Sequence, residues 1–469
     1  MAQEVTFTLA APLLFSLIAL AVGRKERLHA LIVIAGTGVT LFLSINLLLA
    51  CIRGGVLSEG SLMVECRVTD AVVVVTSNFI AFLAAVYNFG LNPLGRFSLD
   101  KYGSLFLLLA FCFNYMVLVH NALMLFLLVE ALIGVSVALV AHSTRSDALE
   151  VAFRYLVVTT LSAFFVLAGV ALLFVSTGSY SLDQYSHLSG DSERLLALAC
   201  ILFVIGLGAD IGFFPFHGWV PDAFPASTPI INVLTCAEHA PLFTGLYMLL
   251  LPIRETSYSN TISLTLATLG LVSIPISYTL AFRQRDAFRR IGYYTIGEYG
   301  NITLALGISI MNPASTPTWR AYLLNSSLMK AGILACLGLA TATDNWEALP
   351  KRARELVSLS FVICSLSSVG IPPLSGFHVK LRYFLSVYIF AIGRVGAWAA
   401  SLLLIFLLGM TFIPLYFLIT LLHEFFLERL QNSGRGKVSL REVAAVTSCV
   451  TLAVVAVIMG LWPGLIFLE

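Results

Sequence analysis

Apolar runs of about twenty residues recur from Thr6 to the end of the chain, and they decide the solvent in which it folds. A helix needs roughly 20 mainly apolar residues to cross a bilayer. Of the 469 residues 59% are apolar and 11% charged, whereas an ordinary soluble domain is about a quarter charged. No stretch between the runs is long enough for a water-soluble domain of useful size. The expectation is an all-α polytopic membrane protein.

The first run, Thr6 to Gly23, lacks a basic leader and a small-residue cleavage site, and further spans follow it, so it reads as the first helix of the mature protein. Taking apolar runs between charged or Pro/Gly breaks gives fourteen spans: 6–23, 29–52, 70–90, 102–119, 121–142, 152–176, 195–214, 228–252, 261–282, 287–310, 320–342, 356–388, 395–422 and 443–466. The fourth and fifth meet at His120-Asn121. Cys51, Cys66, Cys112, Cys200, Cys236, Cys336, Cys364 and Cys449 are scattered, with no CxxC pair or Cys/His cluster. Neither an iron–sulfur nor a zinc site is expected. The chain is read as having no cofactor and no catalytic centre of its own, with redox chemistry left to partner chains.

Basic residues test the count. Eighteen Lys/Arg fall in one set of alternate connections, including Arg24, Lys25, Arg96, Arg145, Arg154, Arg289, Arg429, Arg435 and Lys437. The other set holds six: Arg53, Arg67, Arg194, Arg254, Arg320 and Arg394. Positive-inside bias then places both termini on the outer face. The remaining three, Lys330, Lys380 and Arg382, lie inside spans. Arg382 is expected near an interface or as a counter-charge beside Lys380.

An ionisable side chain at membrane depth costs several kcal/mol unless it is paired or hydrated. Glu130, Asp210, Glu238, His239, Glu298, Lys330 and Lys380 are therefore candidates for a proton or ion pathway. A row of such groups can pass protons because each charge alters its neighbour's affinity for one. Bland roles compete with this one. Glu238 and His239 near Pro241 would also suit a helix kink, Glu298 a packing hydrogen bond, and the lysines helix anchoring. Two spans look broken, at GLGADIGFFPFHGWVPDAFP with Pro215, His217 and Pro221, and at SSVGIPPLSGFHVK with Pro372, Pro373 and Gly376. Discontinuous helices of this kind line ion sites in inverted-repeat transporters. The breaks are five spans apart, which suggests two inverted five-helix repeats. The units are then 1–101 (spans 1–3), 102–252 (spans 4–8), 253–422 (spans 9–13) and 423–469 (span 14).

Several segments, in order over roughly 100–390, resemble the antiporter-like subunits of complex I and of Mrp antiporters. FFPFHGWVPDAFPASTP is similar to that family's F-P-x-H-x-W-L-P-D-A, and RQRDAFRRIGYYTIGEYG to its D-x-K-R-x-x-A-Y-S-S-x-S-x-x-G. LLNSSLMKAGILACLG is similar to H-A-x-x-K-A-x-L-F-L, GIPPLSGFHVK to G-I-P-P-x-x-G-F-x-x-K, and VEALIGVSVALVAH resembles the helix with the family's glutamate. The resemblance implies two half-channels joined by a hydrated polar axis, within a larger membrane assembly. It makes Glu130 the glutamate that modulates the key lysine, Lys330 the central relay, and Lys380 the basic residue of the outer-facing half-channel.

The chain departs from the pattern where the family has a lysine five residues before the first proline, which is Asp210 here. Ser326 replaces the histidine four before the relay lysine, and the usual basic residue of the eighth span falls at Ala240, beside Glu238 and His239. Glu130 and Asp210 cannot both be comfortably ionised at depth. Three readings follow. Protons cross mainly through Glu298, Lys330 and Lys380; or the first-half acids form a sodium or proton entry; or the first half is a scaffold. The departures favour a membrane-bound hydrogenase-type or ferredoxin-dependent oxidoreductase over an ordinary complex I pump, with an Mrp-type Na+/H+ antiporter as an alternative. The chain ends soon after its last span, which argues against the distal complex I subunit with its lateral helix. The motif pair argues against a stand-alone carrier of organic substrates. Expected partners are further antiporter-like and other membrane subunits, peripheral redox subunits indirectly, and the lipid of an energy-transducing membrane, without nucleic acid.

Overall fold

The computed structural model describes residues 2–22, 26–91, 99–143, 146–182, 190–342, 346–347, 349–428, 440–465 and 467. Arg24, Lys25, Arg96, Arg145, Arg429, Arg435 and Lys437 of the orientation count lie outside the described residues.

The helices are α1 (Ala2–Val22), α2 (Glu26–Gly54), α3 (Val68–Leu91), α4 (Leu99–Leu118), α5 (Ala122–Ala141), α6 (Ala148–Thr177), α7 (Asp191–Ile211) and the short α8 (Val220–Ala226). They continue as α9 (Pro229–Leu250), α10 (Ser259–Arg283), α11 (Ala287–Met311), α12 (Thr316–Thr341), α13 (Lys351–Val369), α14 (Ser375–Met410), α15 (Phe412–Leu422) and α16 (Leu440–Leu461). Eleven stretches among the described residues are long and apolar enough to cross a membrane. One of them, Ser375–Leu427, holds 53 residues and leaves helical geometry at Gly396. The protein is an integral membrane protein built of helices.

The turn at His120-Asn121 exists and has a physical basis. Asn121 accepts a hydrogen bond from Met124 N at 3.0 Å and so caps α5. The sequence reading had no counterpart for a small antiparallel hairpin, β1 (Leu57–Glu59) and β2 (Val64–Cys66), between α2 and α3. Its turn accepts from His120 N through Met63 O at 2.9 Å.

Helices in lipid gain little from apolar contact with each other, so close backbone approach and hydroxyl hydrogen bonds hold them together. In the α10–α11 pair Ser263 donates to Gly307 O at 2.7 Å, and a Cβ on Gly270 would lie 2.5 Å from Gly300 O. The α6–α7 pair uses the same device, with Ser162 donating to Gly206 O at 2.7 Å. The centre of the bundle is α9, α11 and α12. All of the apolar window of α12 is buried, against 22% for Ser375–Leu427, so the latter faces outward.

Both expected breaks are present. The first starts at Gly212 (φ 82°), two residues after Asp210, and runs through the 3-10 turn His217–Trp219 to α8, whose first turn holds Pro221. The freed Ala209 carbonyl accepts from Trp219 Nε1 at 2.9 Å. The second starts at Gly370 (φ 97°) and covers Ile371 to Leu374. Each contains a cis X–Pro bond, Phe214–Pro215 and Pro372–Pro373. Gly376 is not in the break: it sits in the first turn of α14, where a Cβ would lie 1.7 Å from Ser367 O. Its place there is fixed by close packing of α14 on α13.

Gly270→Ala is expected to lower the amount of chain that assembles in the membrane, because the new methyl meets backbone rather than a side chain that can rotate away. Gly134→Ala, where no atom lies within 4 Å, should leave it unchanged. Quantitative immunoblots of membranes from cells expressing each variant check this.

Candidate functional site

The three central helices carry Glu238, His239, Glu298 and Lys330, and Lys380 of α14 joins them in one buried tract. On the second-half side, Glu298 of α11 and Lys380 of α14 form an ion pair, Nζ to Oε1 3.6 Å, with both side chains buried. The same Oε1 accepts from Tyr278 at 2.7 Å and from Tyr322 at 3.4 Å. Asn301 steadies this group: it donates to Tyr278 Oη at 3.2 Å and to Gly297 O at 3.1 Å, and accepts from Tyr383 at 2.8 Å. A buried carboxylate is stable only with its lone pairs satisfied, and Glu298 has two phenols and an ammonium.

Lys330 of α12 is held differently. Among the described residues no carboxylate lies within ion-pair distance of it. Its Nζ sits 4.0 Å from the centre of the Tyr299 ring. A desolvated cation over an aromatic face gains about 2 kcal/mol, less than an ion pair in the same surroundings. The ring thus holds Nζ without supplying a carboxylate partner.

The other side of the Tyr299 environment belongs to α9. His239 lies 4.5 Å from the Tyr299 ring, centre to centre, and Nδ1 contacts Thr235 O at 2.6 Å. A carbonyl only accepts, so Nδ1 carries the hydrogen. Nε2, buried without a partner, is the atom left to take a proton. Beside it, Glu238 accepts from Ser136 of α5 at 2.9 Å. Further into the first half, both carboxylate oxygens of Asp210 and Oε1 of Glu130 are buried and find no hydrogen-bond partner among the described residues. Ser162, adjacent to Asp210, gives its hydroxyl to Gly206 O.

The sequence reading named the ionisable residues of this tract but not their partners. Tyr278, Tyr299, Tyr322, Tyr383, Asn301 and Ser136 were missed, although YYTIGEYGN signals polar aromatics at depth. Arg382 is not a counter-charge beside Lys380. It is exposed, with its guanidinium 3.7 Å from the centre of the Phe467 ring. His217 packs against Phe214 of the first break and Tyr293 of α11. Asp222, inside FFPFHGWVPDAFP, was also missed. It bridges Arg289 at 3.0 Å and Arg154 at 3.8 Å and so ties α8 to α11 and α6.

The sequence model described as NADH:quinone oxidoreductase/Mrp antiporter, transmembrane, matches residues 119–411. The chain belongs to this family. It is 30% identical over 330 residues to NADH-quinone oxidoreductase subunit 14 of Thermus thermophilus, covering 69% of this chain and 70% of that one. It is 28% identical over 276 residues to NADH-quinone oxidoreductase subunit N of Desulforudis audaxviator, covering 56% of this chain and 52% of the relative. The chain thus spans between about half and about seven-tenths of the length of these curated relatives. Among solved structures it resembles a chain of respiratory complex I from Thermus thermophilus with bound aureothin (TM-score 0.75, 25% identity, 98% of each chain). It also shares the fold of a chain of the membrane-bound sulfane sulfur reductase, an archaeal respiratory membrane complex (TM-score 0.84, 22% identity, 99% and 96% of the two chains). A chain of the Mrp complex from Dietzia sp. is similar in fold too (TM-score 0.82, 18% identity, 100% and 96%). The chain thus shares the fold of antiporter-like membrane subunits found in these complexes.

Removing one member of a buried pair leaves an uncompensated charge at a cost of about 3–5 kcal/mol, whereas removing both can be neutral. Glu298→Gln should therefore lower the melting temperature of the detergent-solubilised assembly, and Glu298→Gln with Lys380→Met should recover most of it. A thermal-shift series of both singles and the double checks this. Equal loss in the double variant would contradict an isolated Glu298–Lys380 pair.

Proposed function

We propose that the chain translocates protons within a complex I-related respiratory assembly. The observation that carries the reading is the tract Glu238, His239, Tyr299, Lys330, Glu298 and Lys380, in which lysine, histidine and carboxylates from α9, α11, α12 and α14 are buried together. Proton exchange at Lys330 would act on the Glu298–Lys380 pair through the low-dielectric interior, where one charge is felt strongly by the next. Release at Lys380 then follows separation of the pair.

The path crosses fourteen spans in this reading. The eleven stretches become fourteen when Ser375–Leu427 is divided at Gly396 and α4 and α11 are added. Contacts between connections support the alternation. Arg154, Asp222 and Arg289 gather three connections on one face. Arg320 pairs with Asp70 at 3.2 Å, Arg394 donates to Asn260 at 2.6 Å, and the Met63, His120 and Tyr180 turns meet on the other. We assign the second face to the outside, with both termini, from the basic-residue bias. Repeats 102–252 and 253–422 then each carry one break next to a buried ionisable residue, Asp210 and Lys380.

Quinone oxidoreductase names among the relatives favour a quinone-reducing assembly. The hydrogenase-type or ferredoxin-dependent assembly is kept as the alternative by the departures at Asp210 and Ser326, and co-purification of neighbouring chains decides between them. The unpartnered oxygens of Asp210 and Glu130 support a second reading of the first half, a proton or sodium entry.

Ion-gradient formation by the intact assembly in vesicles tests both. Lys380→Met is expected to reduce the gradient per electron transferred, and an unchanged gradient would sink the proton path. Activity that needs no sodium and is indifferent to Asp210→Asn would remove the entry role from the first half.

A further inference from the structure

Two thiols meet where the hairpin returns to α2. Cys51 lies in the last turn of α2, four residues before Gly55 (φ 75°), whose N–H closes that turn on Cys51 O at 2.8 Å. Cys66 ends β2, opposite Leu57. The chain reversal puts Cys66 Sγ 3.4 Å from Cys51 Sγ and leaves both side chains buried. Each sulfur also contacts a backbone carbonyl: Cys51 that of Cys66 at 3.6 Å, and Cys66 that of Arg67 at 3.7 Å. Cys112 and Cys200, by contrast, sit within α4 and α7, at membrane depth.

We infer that Cys51 and Cys66 are a disulfide-forming pair that fastens the hairpin to the end of α2. A sulfur–sulfur bond is about 2.05 Å, so closing it requires the sulfurs to approach from the observed 3.4 Å. The inference rests on the outer-face assignment made above, because thiols persist as such on the reducing side of a membrane and pair on the oxidising side. Each thiol gives up one hydrogen and one bond forms between the sulfurs. The electron pair and the two hydrogens pass to the disulfide of an extracytoplasmic thiol oxidoreductase, which leaves as a dithiol. Because both thiols are buried once the hairpin has packed, oxidation belongs to the folding stage, and the finished bond is shielded from reductant.

The bond braces more than the hairpin. Met63 O holds His120 N, and Val64 bridges to Val119, at the turn where Asn121 caps α5. Directly after Cys66, Arg67 N donates to Asp70, the carboxylate that pairs with Arg320. Fastening Cys66 to α2 therefore fixes the outer ends of α3, α5 and α12 relative to one another.

Mass spectrometry of the chain in its native assembly tests this. Cells are denatured in excess N-ethylmaleimide without reductant, and the chain is digested. The Cys51 and Cys66 peptides are expected to be joined and unalkylated, while Cys112 and Cys200 carry the label. Alkylation of both Cys51 and Cys66 would overturn the inference. A Ser58→Cys variant probed on intact cells with a membrane-impermeant maleimide tells the two causes of such a failure apart, since Ser58 is exposed at the hairpin. Labelled Ser58→Cys with reduced Cys51 and Cys66 means that the pair does not close. Unlabelled Ser58→Cys with reduced thiols means that the face assignment is wrong.

Discussion

Charge at membrane depth is the constraint from which the rest of the bundle follows. Glu130, Asp210, Glu238, His239, Glu298, Lys330 and Lys380 sit in spans where lipid offers neither water nor hydrogen bonds. The structure meets this cost by enclosure. Glu238, His239, Glu298 and Lys330 lie on the most buried helices, Lys380 is buried against them from the outward-facing α14, and the outward helices shield the group. Close Ser–Gly approaches between α10 and α11, and between α6 and α7, draw the layers tight enough to do so.

The two halves solve the charge problem unequally. In the second half Glu298 is satisfied by Lys380, Tyr278 and Tyr322, and Asn301 orders the phenols around it. In the first half Asp210 and Glu130 keep buried oxygens without partners. Glu238 and its Ser136 bond lie between these extremes. Tyr299 stands at the junction, with His239 and Lys330 both against its ring. An aromatic ring can hold a cation in place, and among the described residues no carboxylate pairs with Lys330.

Much of this was legible in the sequence because it concerns single residues against an apolar background. Glu298, Lys330 and Lys380 stand out in any apolar run, and proline with glycine marked both breaks. Pairing was not legible. Glu298 and Lys380 are 82 positions apart, and only the fold of α14 back over α11 brings them together. The tyrosines escaped because an aromatic residue in a span reads as packing until its hydroxyl or ring is seen to face a charge. Gly376 was taken as part of a break because it follows two prolines, yet its small size serves contact with Ser367 O. The hairpin at 57–66 was invisible because its strands are three residues long, too short for any periodicity to register.

The proposed transport through the tract requires Lys330 to exchange its proton. The most direct measurement is the number of ions moved per electron transferred by the intact assembly in sealed vesicles, compared between the wild type and Lys330→Met. If Lys330 is the central relay, this ratio falls while electron transfer in uncoupled vesicles continues. An unchanged ratio in a fully assembled variant would contradict a proton path through the Tyr299–Lys330 junction.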